Sequence, residues 1–241
     1  MSNSDYIYML ESAKDHLDEI EKIYTQCLKS DFVPKSLTNK IRYFLLDIES
    51  ALDYISFVVF NKYCLPSLLE KGLDNEKIEK LKKKVNFPLF DYKEWFDKDM
   101  RKTFPNLDNA KPEIINLFEK HQKYKTSSEY WLTVFNRLVN NNKHRELEKQ
   151  TRRPTGYHIK YHRDKNGIFE NIKSNGPNGI LTDGGPLLYK ALTSNPLNNT
   201  KATFWVIYTF KSTGYPVIST LKSIYEQASI TIEEIRNVIE E

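Results

Sequence analysis

Apolar residues return every three or four positions over most of the first 150 residues, then every second position for a stretch, then every three or four again. Tyr8, Ala13, Leu17, Ile20, Ile23, Tyr24 and Leu28 recur at near-helical spacing and predict an amphipathic helix over residues 4–29, with an acidic outer face and an end at Phe32-Val33-Pro34. Ile41, Leu45, Ile48, Leu52, Ile55 and Val59 follow at spacings of four, three, four, three and four, which predicts a second helix over residues 36–64. Pro66 is expected to stop or bend it, because proline lacks a backbone donor and its ring clashes with the previous turn. Glu76, Lys77, Lys80 and Lys84 mark a short charged helix over residues 75–84 and read as a solvated face.

Proline pushes the residue before it towards extended backbone, so Asn86-Phe87-Pro88-Leu89-Phe90 reads as an apolar loop plugged between helices. Further helices are predicted over 93–100, 112–124 and 127–148. Pro112 suits a first turn, and Ser127 or Ser128 suits an N-cap.

Beyond Arg153-Pro154 the period changes. Tyr157, Ile159 and Tyr161 alternate with His158, Lys160 and His162 as in a half-buried strand, and Asp164-Lys165-Asn166-Gly167 suits a hairpin turn into a returning strand over 168–172. A loop rich in Gly, Pro and Asn spans 174–199. The β-branched and aromatic run over 203–210 predicts a well-covered strand. Pro216 opens a last helix whose buried side is Val217, Leu221, Ile224, Ala228, Ile235 and Val238. The expected fold is mainly α (α+β): a helical bundle over residues 1–153, with a β-hairpin, a strand and a C-terminal helix over 154–241 packed on it within the same domain.

A chain of 241 residues with 39% hydrophobic content can fill a sizeable core. Lys and Arg exceed Asp and Glu by four, which permits contact with nucleic acid without a strongly basic footprint. The start has neither the basic flank nor the apolar run of a signal peptide, and the most apolar stretch, 55–60, is far short of the roughly 20 residues a membrane helix needs. The expectation is a cytoplasmic protein without a membrane segment. Cys27 and Cys64 have no CxxC spacing, so both are expected as reduced, half-buried helix residues.

The sharpest candidate chemistry lies in residues 136–147. At about 100° per residue, with Arg137 at zero, His144 falls near −20°, Asn140 near −60° and Asn141 near 40°. Trp131, Leu132, Phe135, Leu138 and Val139 take the broadly opposite side. Asn142 points with the apolar side, where its amide needs a backbone partner. Arg and His on one helical face can cleave RNA: a base removes the ribose 2′-OH proton, a fixed cation stabilises charge on the phosphorus oxygens, and amides such as Asn140 and Asn141 orient the phosphate. No metal and no cofactor is needed. The bland reading of the same face is a solvated surface or an oligomer contact.

The stretch from Ile41 to Ile55 (IRYFLLDIESALDYI), then Phe87-Pro88, then Asn140 to Leu147 with its Asn142-Lys143-His144 core, resembles a widespread bacterial family with the pattern LRxALDxL…FP…LxNxxKHxxL, matched in order over about residues 36–147. More distantly, an arginine followed by a histidine on a late helix of a bundle resembles the HEPN superfamily of nucleases and nucleic-acid-associated toxins. That resemblance implies a HEPN-like bundle, RNA as substrate, a homodimer, and Arg137 and His144 acting together, often across the dimer interface. Leu138 stands where that family usually has a small polar residue.

Two further features bear on RNA. Lys143, Arg145, Lys149, Arg152 and Arg153 form a basic run that either tracks a phosphate backbone or merely opposes a helix macrodipole. Glu49 and Asp53, one turn apart beside the apolar stripe, repel each other unless they face cations; Arg42 on the same side, or Lys143 and His144 from a neighbouring helix, are the candidates. His158 and His162 lie about 13 Å apart along a strand, too far to share one ion. Two functions stay open: a metal-independent ribonuclease of toxin or defence type, or a non-enzymatic module using the same face to bind a second copy, a protein partner or an antidote.

Overall fold

A computed structural model describes residues 5–27, 33–125, 131–144, 149–162, 169–175 and 200–240. The expected Ser127 or Ser128 cap, the hairpin turn at 164–167 and nearly all of the 174–199 loop lie outside the described residues. In order come α1 (Asp5–Cys27), α2 (Lys35–Val59), a π turn (Phe60–Cys64), α3 (Leu65–Glu70), α4 (Asn75–Lys82), α5 (Lys93–Thr103), α6 (Leu107–Ala110), α7 (Pro112–Lys120), a 3₁₀ turn (Lys123–Lys125), α8 (Trp131–His144), β1 (Gln150–His162), β2 (Phe169–Asn175), β3 (Thr200–Phe210) and α9 (Val217–Glu240). The protein is mainly helical, with a small antiparallel sheet and a C-terminal helix. It divides into two compact units: Met1–Lys22, Lys35–Glu148 and Ile218–Glu241 form the first, Ile23–Pro34 and Lys149–Val217 the second.

In the first unit α2 is the central element. Its predicted stripe, Ile41, Leu45, Ile48, Leu52, Ile55 and Val59, is buried throughout, widened by Leu37, Phe44 and Ala51. Pro66 neither stops nor sharply ends this helix. Phe60–Cys64 form a π turn, in which the Leu65 N–H donates to the Phe60 carbonyl five residues back, and Pro66 then occupies the first turn of α3. The wider turn takes up the hydrogen bond and the ring clash that proline imposes on a regular helix.

On α1 the buried face is Tyr6, Ala13, Leu17 and Ile20, whereas Tyr8 is 65% exposed. Tyr6 lies seven residues before Ala13, about −20° around the helix, and so shares its face; Tyr8 does not. Along α9 the expected residues from Leu221 to Ala228 and Ile235 are buried, joined by Ile232 and Ile239, while Val238 is only half-buried. Lys120 Nζ meets Glu234 at 2.6 Å, and buried His121 approaches Thr231 Oγ1 at 3.3 Å, which fixes α9 against the end of α7.

The Phe87-Pro88 segment is the predicted plug. Val85 and Phe87 are buried, and the Phe87 ring meets Phe118 edge-on at 5.4 Å. Gln122, fully buried, anchors this loop: its Nε2 donates to the carbonyls of Pro88 at 2.9 Å and Phe118 at 2.8 Å, and its Oε1 accepts from the Phe90 N–H at 2.8 Å. The short helix α6 was not legible in the apolar pattern. It starts after Asn106, whose φ of 66° places it in the left-handed region that asparagine tolerates.

The second unit holds an antiparallel sheet in the order β2-β1-β3. β1 begins at Gln150, earlier than the expected start at Tyr157, and passes through Pro154 at an irregularity between Pro154 and Gly156. A bulge is where a sheet accommodates a residue with no N–H to donate. β3 likewise starts three residues before the predicted run, and its Tyr208, Thr209 and Phe210 are buried. Tyr208 ties the strand to the end of α1: its N–H donates to Tyr24 Oη and its own hydroxyl donates to the Cys27 carbonyl, both at 3.0 Å.

Candidate functional site

The apolar side of α8 is set by Trp131, Leu132, Val134, Phe135, Leu138 and Val139, all buried. Arg137 and Asn140 are therefore held out in solvent, with Asn141 half-exposed beside them. The helix continues through residue 144, so the backbone positions of Arg137 and His144 lie on one side, about 10 Å apart along the axis. The side chain of His144 and the whole of Arg145 lie outside the described residues. Asn140 Nδ2 donates to Asn136 Oδ1 at 2.7 Å, a contact that orients one amide on the exposed face. Asn142 is half-buried and donates to the Leu138 carbonyl at 2.8 Å, one turn back in its own helix. Leu138, at the position where the HEPN pattern has a small polar residue, is fully buried.

The basic run after this face does not continue the helix. Lys143 is exposed on α8 in the first unit, whereas Lys149 precedes β1 and Arg152 and Arg153 are β1 residues opposite Tyr208 and Ile207 in the second. Lys149 is exposed; the side chains of Arg152 and Arg153 lie outside the described set. Lys143 is also engaged: its Nζ lies 2.5 Å from Glu49 Oε2. Of the cations named for the carboxylate pair, Lys143 is thus, among the described residues, the one that meets Glu49.

Asp53 has a partner the sequence did not suggest. Its Oδ1 accepts the Phe87 N–H at 2.8 Å, so the second carboxylate anchors the plug loop and forms no ion pair among the described residues. Burial pushes its pKa up to about 6; the Phe87 N–H and Lys143 oppose this shift, and Glu49 adds to it.

Asp53, Glu49 and Lys143 line a cavity of about 410 Å³, walled by Phe87, Phe90 and Phe135. Asn86, the first residue of the apolar loop, lines it too, as do Lys84, Asp99 and Lys102, which sequence reasoning missed because nothing local distinguishes them from solvated charged residues. The nearest legible signals were the Phe87-Pro88 dipeptide and the pair Glu49 and Asp53. A smaller cleft of about 120 Å³ lies between Phe90, Trp95, Gln122 and Asn136.

Other candidate chemistry is weak. Both cysteines are buried more deeply than expected, and burial raises the Cys27 thiol and pushes Cys64 up to about 12, so neither is a thiolate near neutral pH. Among the described residues no cluster of His, Cys, Asp and Glu could hold a metal, and no helix is long and apolar enough to cross a membrane. The chain matches no known family model, no curated protein and no solved structure.

Proposed function

We propose that the protein is a HEPN-like, metal-independent ribonuclease of toxin or defence type, acting on RNA as a homodimer. The observation that carries this reading is the exposure of the Arg137 guanidinium on a helix whose next two turns bring His144 to the same side. In the proposed reaction His144 accepts the 2′-OH proton and the 2′-oxygen attacks phosphorus. The 5′-oxygen departs and takes up a proton, leaving a cyclic phosphate and a free 5′-hydroxyl. Arg137 compensates the charge on the phosphorus oxygens, and Asn140 and Asn141 position them. Lys149, Arg152 and Arg153 supply cationic character in the second unit. In the first unit Lys143 becomes available only when a phosphate competes with Glu49 for its ammonium.

The test is cleavage of structured RNA and of tRNA by the full chain in the presence of a chelator. Activity is expected in the parent protein, with a loss of at least a hundredfold in His144→Ala and in Arg137→Ala, and a native mass of twice the 28.4 kDa chain. An inactive parent, or a His144→Ala variant as active as the parent, sinks the reading. One observation favours the rival, a non-enzymatic interaction module: the ion pair between Lys143 and Glu49 satisfies a cation next to the histidine in sequence without any nucleic acid. On that reading a stable dimer forms, no RNA is retained, and Arg137→Ala dissociates it.

A further inference from the structure

The cavity beneath the Phe87-Pro88 loop has a polarity gradient. Its more buried polar groups are Thr103, Glu49, which meets Lys143, and half-buried Asp53, which has one oxygen committed to the Phe87 N–H and no cation within ion-pair distance among the described residues. Its outer groups include Lys84 and Lys102, both exposed and both without an ion pair among the described residues. Phe87 and Phe135, both buried, supply its aromatic walls. A ligand that satisfies all three features has N–H donors at one end, a flat apolar body, and an anion at the other end. Its volume of about 410 Å³ falls within the range of about 300–1,000 Å³ typical of small-molecule sites.

We propose that this cavity binds a guanine nucleotide unit, with Asp53 receiving the base N–H donors, the phenylalanine rings flanking the base, and Lys84 and Lys102 meeting the phosphate. Among the four common bases, guanine alone offers two adjacent N–H donors on its pairing edge to one carboxylate; adenine and cytosine offer a single amino group, and uracil a lone ring N–H. Burial pushes the pKa of Asp53 up to about 6, so at pH 7.5 the group is an ionised acceptor for N–H donors. Phe135 and Lys143 come from α8, the helix that also carries Arg137. A base held here would therefore be recognised by the same element that carries the proposed cleavage face, in the way that unpaired RNA bases are read on their Watson–Crick edges. As a substrate-recognition site the cavity rests on the ribonuclease reading; as a binding site it does not.

Titration calorimetry of the full chain with GMP, AMP, CMP and UMP at pH 7.5 tests the site. The expected result is binding of GMP at least tenfold tighter than of the other three. Asp53→Asn should lose that preference, and a Lys84→Ala, Lys102→Ala double variant should weaken GMP while leaving guanosine unchanged. Equal affinities for the four nucleotides, no binding of GMP, or an Asp53→Asn variant that keeps the preference overturns the proposal. A second arm compares short RNAs differing only in one unpaired guanine replaced by adenine. Guanine-dependent cleavage makes the cavity the substrate's base site. GMP binding with cleavage indifferent to guanine makes it a site for the free nucleotide, and GMP binding with no cleavage of any RNA removes the ribonuclease while leaving the cavity assigned.

Discussion

Asp53 shows how one side chain can combine a structural bond with an electrostatic cost. Its carboxylate holds the Phe87 N–H, but burial next to Glu49 raises its pKa from an ordinary 3.8 to about 6. Between those values the folded chain binds more protons than the unfolded one, so stability falls as pH rises through that window and stays at its lower level above it. At about 1.36 kcal/mol per pH unit the cost of ionising Asp53 at neutral pH is on the order of 1–3 kcal/mol. Asparagine keeps a carbonyl oxygen for the Phe87 N–H and carries no charge. Asp53→Asn is therefore expected to unfold at higher urea concentration than the parent at pH 7.5, and the difference should close towards pH 4. Parallel urea midpoints for the two proteins across pH 4–7.5 would refute the assigned pKa. Nothing in the sequence distinguishes Asp53 from Glu49, one turn earlier on the same helix. The roles separate only because Lys143 reaches one and a loop N–H reaches the other.

At the scale of elements, what was legible followed from period and what was not followed from backbone exceptions. The stripe of α2 was readable because six apolar residues keep helical spacing and each is buried. The π turn before Pro66 was not, since the same apolar spacing runs through it and only the hydrogen-bond ladder changes. β1 was read late for a related reason: proline normally argues against a central strand, and the bulge that admits Pro154 depends on pairing with β3, more than forty residues onward. The polar face of α8 was readable in outline, whereas the cavity beside it draws on α2, the plug loop, α5 and α8, which no local pattern joins. Gln122 is the side chain that secures the plug, with three buried hydrogen bonds to backbone groups of Pro88, Phe90 and Phe118. Gln122→Ala leaves those groups unpaired, at about 1–3 kcal/mol for a buried orphan. Loss of at least about 3 kcal/mol in urea denaturation is expected, with faster hydrogen exchange at the Phe90 amide. An unchanged exchange rate there would show that the loop is held by its aromatic contacts alone.

Across the whole molecule the excess of Lys and Arg over Asp and Glu is only four in 241 residues, so attraction to RNA must come from particular cations rather than from overall charge. Many of those cations are already spent. Lys93 and Lys125 both meet Glu119, Lys120 meets Glu234, Lys123 meets Asp91 and Lys143 meets Glu49. Of the exposed cations of the first unit that form no ion pair among the described residues, which also include Lys22, Lys35, Arg42, Lys71, Lys83, Lys98 and Arg101, the three on the exposed face of α8 or lining the cavity are Arg137, Lys84 and Lys102. Counterion release gives each phosphate contact on a single strand a contribution of about −0.7 to the slope of log affinity against log salt. Three contacts made by those residues correspond to a slope of about −2, measured by fluorescence anisotropy of a labelled single-stranded RNA between about 50 and 200 mM salt. Replacing Lys84 or Lys102 by alanine should flatten the slope by about 0.7 each, whereas Lys123→Ala, which removes a cation already held by Asp91, should leave it unchanged. A slope of −4 or steeper in the parent, with no response to Lys84 or Lys102, would place the RNA on cations away from the cavity instead.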